Sequence, residues 1–221
     1  AARDKRDLFK ITGAAQAFYA SALGVACRNP GSRIARYIQE RAITAEAIKT
    51  FGIGYAPAAW NDLARYFAQH KIPEDRLIES GLAKRSAKGE LYDVFRARLV
   101  FPVLLDSGRV AGFGGRLIPG LLTEEQAQTA PKYLNSPESA IYQKSRILYG
   151  LTQALNQIRT EREFFLVEGY LDVISLWQVG IKNVLATCGT AVTKQHARRM
   201  SGLADRAYLL FDGDAAGRSA A

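Results

Sequence analysis

Soft and imidazole ligands are scarce in these 221 residues, which hold only two cysteines, two histidines and one methionine. Cys27 and Cys188 lie far apart, with only His70 and His196 for company, so the closely spaced ligand pairs of a zinc ribbon cannot be assembled and no zinc is expected within the chain. The thiols are expected to be buried and reduced, as in a cytoplasmic protein. No apolar run nears the ~20 residues that cross a bilayer. No charged-then-apolar leader opens the chain, so neither a membrane partner nor export is indicated. Internal repeats and low-complexity tracts are missing as well.

What is abundant is apolar material and positive charge. Hydrophobic residues make up 48% of the chain, enough for one or two cores, and the formal net charge is +9. The charge is unevenly placed. Residues 1–160 carry 23 Lys and Arg against 14 Asp and Glu, whereas residues 161–221 carry 7 of each. A basic first part joined to a neutral second part suits a polyanion whose phosphates must be gripped. Charge alone leaves a solvated basic surface equally open.

The second part contains the most informative pattern. Glu163–Val167, 183–187 and 207–211 read as short apolar strands separated by helical segments, the signature of a parallel sheet flanked by helices. Glu168 follows the first strand, and Asp212, Gly213 and Asp214 follow the third. Alternating strand and helix brings these acids out at one sheet edge, where open α/β sheets place their ligands. Clustered carboxylates repel unless a cation lies between them, and hard oxygen donors favour Mg²⁺ or Mn²⁺. The competing reading is local: an acid after a strand often caps the next helix, and Asp-Gly is a common turn.

Upstream, helical spacing is expected over 7–23 with a stop at Gly24, then over 33–41, 44–51, 60–69 and 74–80. Phe18, Tyr19, Trp60 and Phe67 fall in these segments and read as core. From Lys84 the texture becomes that of strands. Segments 92–105 and 109–118 are expected to pair through a hairpin turn at Asp106, Ser107 and Gly108. Alternation in the first of them puts Arg96 and Arg98 on one face. Gly112, Gly114 and Gly115 precede Arg116 and mark a bend or a close approach; as a phosphate cradle they are weak, since no helix start follows. Residues 121–128 read as a polar surface excursion. Prolines at 131 and 137 frame an ordered loop that holds Lys132 and Asn135, with Lys144 and Arg146 beyond it and a helix from Leu151 to about Ile158. Such a loop suits phosphate and base-edge contacts, and equally a structural loop with snorkelling lysines.

Two resemblances carry specific expectations. Glu168-Gly169-Tyr170-Leu171-Asp172, Gly189-Thr190-Ala191 and the run from Asp212 to Arg218 resemble the Toprim signature shared by bacterial primases, topoisomerases and some nucleases. The stretch from Phe95 to Pro102, then Gly112 to Arg116, Pro131 to Glu138, Lys144 and Leu148-Tyr149-Gly150 is similar to the RNA polymerase core of DnaG-type bacterial primases. That resemblance implies an α/β fold: a mixed α+β basic N-terminal subdomain over 1–160, followed by a partial Toprim domain over 161–221. It implies DNA-directed synthesis of short RNA primers at the bacterial replication fork, in the cytoplasm, by nucleotidyl transfer with two metal ions, Mg²⁺ or Mn²⁺. The implied partners are single-stranded DNA template, ribonucleoside triphosphates, the RNA primer and, through a domain not included here, the replicative helicase.

By position, the resemblance assigns Glu168, Asp212 and Asp214 as catalytic metal ligands, with Asp172 supporting the acidic edge. Arg116, Lys132, Asn135 and Lys144 are implied to face nucleotide or template, and Arg96 and Arg98 to lie on the template path. The family's zinc-binding and helicase-docking domains are not in this sequence, and Toprim domains continue beyond the point corresponding to Ala221. A truncated catalytic core is therefore expected. Other readings are a non-catalytic single-strand-DNA-binding fragment, or a Toprim nuclease or topoisomerase, which would need a nucleophilic tyrosine that nothing here distinguishes.

Overall fold

The computed structural model describes residues 2–189 and 191–211. Helix α1 (Ala2–Cys27) buries Leu8, Ile11, Ala15, Tyr19 and Leu23, one face at helical spacing. It runs through Gly24, which nothing crowds, and so outlasts the expected stop. Ser32 and Thr44 accept N–H bonds from Ala35 and Ala47, starting α2 (Arg33–Glu40) and α3 (Ala45–Phe51). Gly52, at φ +63°, ends α3 in the left-handed conformation that glycine adopts without strain. The glycines after it do more than break a helix, since β1 (Gly54–Ala56) follows. Next come α4 (Asp62–Gln69) and α5 (Glu74–Glu79), then the hairpin of β2 (Ala83–Arg85) and β3 (Leu91–Asp93).

The expected strand over 92–105 is two elements. Ala97 sits at φ 52° and separates β3 from β4 (Arg98–Leu104); its N–H bonds to Pro57 and its carbonyl accepts from Ile118. Simple alternation therefore does not relate Arg96 to Arg98. The turn at Asp106, Ser107 and Gly108 is as expected and leads into β5 (Val110–Leu117). Within 121–128 a short helix forms, α6 (Glu124–Thr129), started by a reciprocal cap between Thr123 and Gln126. The proline-framed loop contributes β6 (Tyr133–Asn135), so β1, β4, β5 and β6 make one antiparallel sheet in that order.

The remainder alternates as its apolar runs indicate: α7 (Leu151–Glu161), β7 (Glu163–Val167), α8 (Tyr170–Gln178), β8 (Val184–Ala186), α9 (Lys194–Ser201) and β9 (Arg206–Leu210). The three strands are parallel with β7 in the centre, and Val167 lies in register with both Ala186 and Leu210. The chain is thus a mixed α/β protein with an antiparallel and a parallel sheet. No helix among the described residues is long and apolar enough to cross a membrane.

The two sheets share one core. Phe51 meets Trp177 edge-on with centroids 5.6 Å apart, and the Tyr170 ring stacks on Phe101 at 5.0 Å and 6°. Phe101 is the cross-strand partner of Gly114. A Cβ at Gly114 would lie 2.1 Å from the Tyr170 ring, so the glycine is the slot into which that ring fits. Gly112 and Gly115 make similar room for Tyr142 and Phe95. The close approach read from these glycines is real, but it is made by side chains rather than backbone. Overpacking a buried site costs about 1–3 kcal/mol, so Gly114→Ala is expected to lower unfolding free energy by at least that much in urea denaturation, with Tyr170 displaced.

Candidate functional site

Glu168 directly follows β7, half-buried, and its carbonyl accepts the Cys188 N–H at 3.1 Å. Asp172 is exposed and accepts the Gly169 N–H at 2.9 Å, closing the first turn of α8. The expected ligands Asp212 and Asp214 lie outside the described residues. The strand that leads to them runs parallel to β7, with Leu210 beside Val167. Among the described residues, no group of three or more His, Cys, Asp or Glu could hold a metal ion. Oxygen donors from Glu168, Asp212 and Asp214 would make a hard, anionic site, which fits a divalent cation.

Asn135 joins this edge to the antiparallel sheet. Its Nδ2 donates to the Cys188 carbonyl at 2.8 Å, and its Oδ1 accepts from the Tyr170 hydroxyl at 2.7 Å. One side chain on β6 thereby fixes both the loop beside Glu168 and the start of α8. Cys188 itself is buried at φ 55°, and burial pushes its thiol pKa well up, so it stays a thiol. Cys27, expected to be buried, is half-exposed. Lys144 is tied down from the same side: fully buried His196 sits within hydrogen-bond distance of the Lys144 carbonyl through Nε2, at 3.0 Å, while its Nδ1 faces the Thr193 N–H. Burial lowers the His196 pKa, so the ring is neutral, with Nε2 as its donor.

The basic residues occupy different environments. Lys132 is exposed next to β6. Arg116 donates through Nε to the Tyr37 hydroxyl at 2.6 Å and through Nη1 to the Tyr133 hydroxyl. Arg98 is 4% exposed and donates to the carbonyls of Gly115, Pro131 and Lys132, which fastens the Lys132 loop to β5. Burial, with Arg96 close by, brings its pKa down to about 10, leaving it charged near neutrality. Arg96 packs over Trp60 at 4.5 Å and Tyr92 at 5.3 Å, and all three line a groove of about 380 Å³ with Lys84 and Arg98.

Trp60 was read as core from its position in a helical segment. It is instead 48% exposed, because α4 begins two residues later and leaves the indole on the preceding loop. Tyr37 and Tyr133, which hold Arg116, and Tyr170, which holds Asn135, carried no sequence signal as partners of those residues. Their only cue was aromatic content near the basic positions.

A parallel sheet with Glu168 at the end of its central strand places the second part among Toprim-like proteins, and residues 165–221 match the Toprim-like family. Residues 23–155 match the family described as DNA primase catalytic core, N-terminal domain, and the chain belongs to that family. It is 38% identical over 216 residues to the DNA primase of Pseudomonas aeruginosa, covering 97% of this chain and 31% of that protein. It is 39% identical over 219 residues to the DNA primase of Halalkalibacterium halodurans, covering 99% of this chain and 35% of that one. The chain thus spans about a third of the length of these curated relatives. Among solved structures, a DnaG primase catalytic domain bound to ssDNA superposes with a TM-score of 0.85 at 33% identity, over 100% of this chain and 65% of that one. The E. coli primase catalytic core gives 0.83 at 35%, over 96% and 64%.

Removing Asn135 takes a partner from the Tyr170 hydroxyl and from the Cys188 carbonyl, and a buried polar group left unpaired costs about 1–3 kcal/mol. Asn135→Ala is therefore expected to destabilise the fold by roughly 2–4 kcal/mol in urea, and Tyr170→Phe by about half as much. Asp93 gives a pH signature. Its carboxylate accepts the Leu63 and Ala64 N–H groups at 2.8 and 3.0 Å, yet burial raises its pKa to about 6. Unfolded, the group loses its proton near pH 3.9; folded, it keeps it to about 6, so stability falls as pH rises through that window by about 3 kcal/mol. The difference in urea midpoint between the wild type and Asp93→Asn should change over that interval and be level above it.

Proposed function

We propose that the chain is the central part of a DNA primase: a basic subdomain over 1–160 that holds single-stranded template, and a Toprim subdomain over 161–221 that carries the metal-binding acids for RNA primer synthesis. The observation that carries the reading is the route from Asn135 through Cys188 to Glu168, which holds the loop bearing Lys132 against the acidic strand end. Phosphate-gripping and metal-binding residues need such fixed opposition, because phosphoryl transfer is accelerated mainly by positioning and charge. The primase relatives and the ssDNA-bound neighbour support it over a nuclease or topoisomerase. The cell compartment in this reading is the bacterial cytoplasm, at the replication fork. The partners are ribonucleoside triphosphates, the RNA primer and, through another region of the primase, the replicative helicase.

In this reading Glu168, Asp212 and Asp214 hold a pair of Mg²⁺ or Mn²⁺ ions, which supply Lewis-acid stabilisation of charge on the attacking and leaving oxygens. Arg116, pinned by Tyr37 and Tyr133, and the exposed Lys132 neutralise the triphosphate. Lys144 sits half-buried at the 3-10 turn Lys144–Arg146, at the border of the two sheets. The groove of Trp60, Tyr92 and Arg96 takes template bases by stacking. Arg98 serves the path by holding the Lys132 loop, and Asn135 by holding the joint.

The test is binding of a ribonucleoside triphosphate to the 221-residue chain with and without Mn²⁺, by calorimetry. Metal-dependent binding lost in Glu168→Gln and Asp212→Asn, with ssDNA affinity retained, is the expected result. Equal loss of ssDNA affinity would overturn this division of labour. Lys132→Ala should weaken nucleotide or template binding, and its deficit should shrink as salt rises.

A further inference from the structure

We infer that a cavity at the turn end of the antiparallel sheet binds a phosphate-rich anion, the polyphosphate of a nucleotide or the backbone of a nucleic-acid strand, at a site separate from the acidic edge. The cavity holds about 510 Å³ and forms where the β4–β5 turn, the start of α1, the 140–147 loop and α9 meet. Lys5, Arg109, Arg146 and Arg199 line it, and Asp106 is the only carboxylate among its lining residues. Asp106 pairs with Arg199, leaving the excess charge uncompensated.

The three arginines are held in place. Arg109 lies over the Phe9 ring at 4.0 Å and donates through Nε to the Ser107 hydroxyl at 3.1 Å. Arg146 Nε donates to Gln195 at 3.2 Å, and Arg199 Nη1 to the Arg146 carbonyl at 2.7 Å. Each guanidinium retains further N–H donors, in the planar fork that matches phosphoryl oxygens. Gathering an excess of three positive charges around one hollow is unfavourable until an anion enters. Leu105, Ile141 and Ile147 add an apolar wall for a base or ribose, in a volume within the range of ordinary ligand sites. The place differs from the primer-synthesis site of the preceding reading. Arg109 and Arg116 flank opposite ends of β5, roughly 20 Å apart at strand rise, and neither Glu168 nor Lys132 lines the cavity. The inference stands whether or not that reading holds.

The experiment uses the whole chain with EDTA present, so that no metal at the acidic edge can hold a triphosphate. Inorganic tripolyphosphate, ATP and a labelled single-stranded oligonucleotide are titrated into the wild type, Arg109→Ala/Arg146→Ala and Lys88→Ala. The expected result is tripolyphosphate affinity at least about tenfold weaker in the double variant, which loses two charge-assisted contacts, and unchanged in Lys88→Ala, an exposed lysine that does not line the cavity. A parallel loss for ATP identifies a free nucleotide as the source; a parallel loss for the oligonucleotide identifies the strand backbone. Should the double variant fail to fold by circular dichroism, Lys5→Glu and Arg109→Glu, both at exposed positions, take its place. Wild type that binds no tripolyphosphate, or equal affinity in all proteins, overturns the site.

Discussion

The Tyr170 ring in the slot above Gly114 is the contact on which the rest of the structure depends. It stacks on Phe101, fills the space a side chain at Gly114 would occupy, and presents its hydroxyl to Asn135. Tyr170 is also the first residue of α8, so the same ring sets where that helix begins. Remove the slot, and the antiparallel sheet loses its purchase on the parallel one. The acidic strand end and the basic loop would then keep their residues but lose their separation, which the fixed opposition of the proposed site could not tolerate.

Aromatic residues also govern the arginines. Arg116 is held by two phenols, Arg96 lies over an indole and a phenol, and Arg109 over a phenyl ring. Guanidinium groups anchored this way lose little entropy when a phosphate arrives, unlike long chains that swing freely in water. Arg98 differs from these three, since its donors are directed to backbone carbonyls. In the proposed reading these three grip phosphate or base, while Arg98 builds the loop that carries Lys132.

Much of this was legible in the sequence where the physics is local. Apolar runs bounded by polar residues gave the parallel strands within a residue at each end, and Thr44 and Gly52 marked helix ends through their own side-chain chemistry or lack of it. Glycines at 112, 114 and 115 announced crowding, though not by what, because Tyr142 and Tyr170 arrive from distant segments. Arg98 looked like a free cation because the carbonyls that absorb it belong to another strand and loop. Trp60 was misread because helical spacing says nothing of where the helix starts. The strand break at Ala97 had no signal, since a non-glycine residue at positive φ is imposed by its tertiary hydrogen bonds.

The slot at Gly114 has a consequence for how the protein is made. During synthesis β1, β4, β5 and β6 can pair once β6 has left the ribosome, but the ring that completes their surface lies beyond α7 and β7. Until α8 emerges, the part of Phe101 that Tyr170 covers is open beside the glycines of β5, a sticky, half-made surface of the kind that chaperones shield. The antiparallel sheet is thus finished by a residue that is made only after all of its own strands.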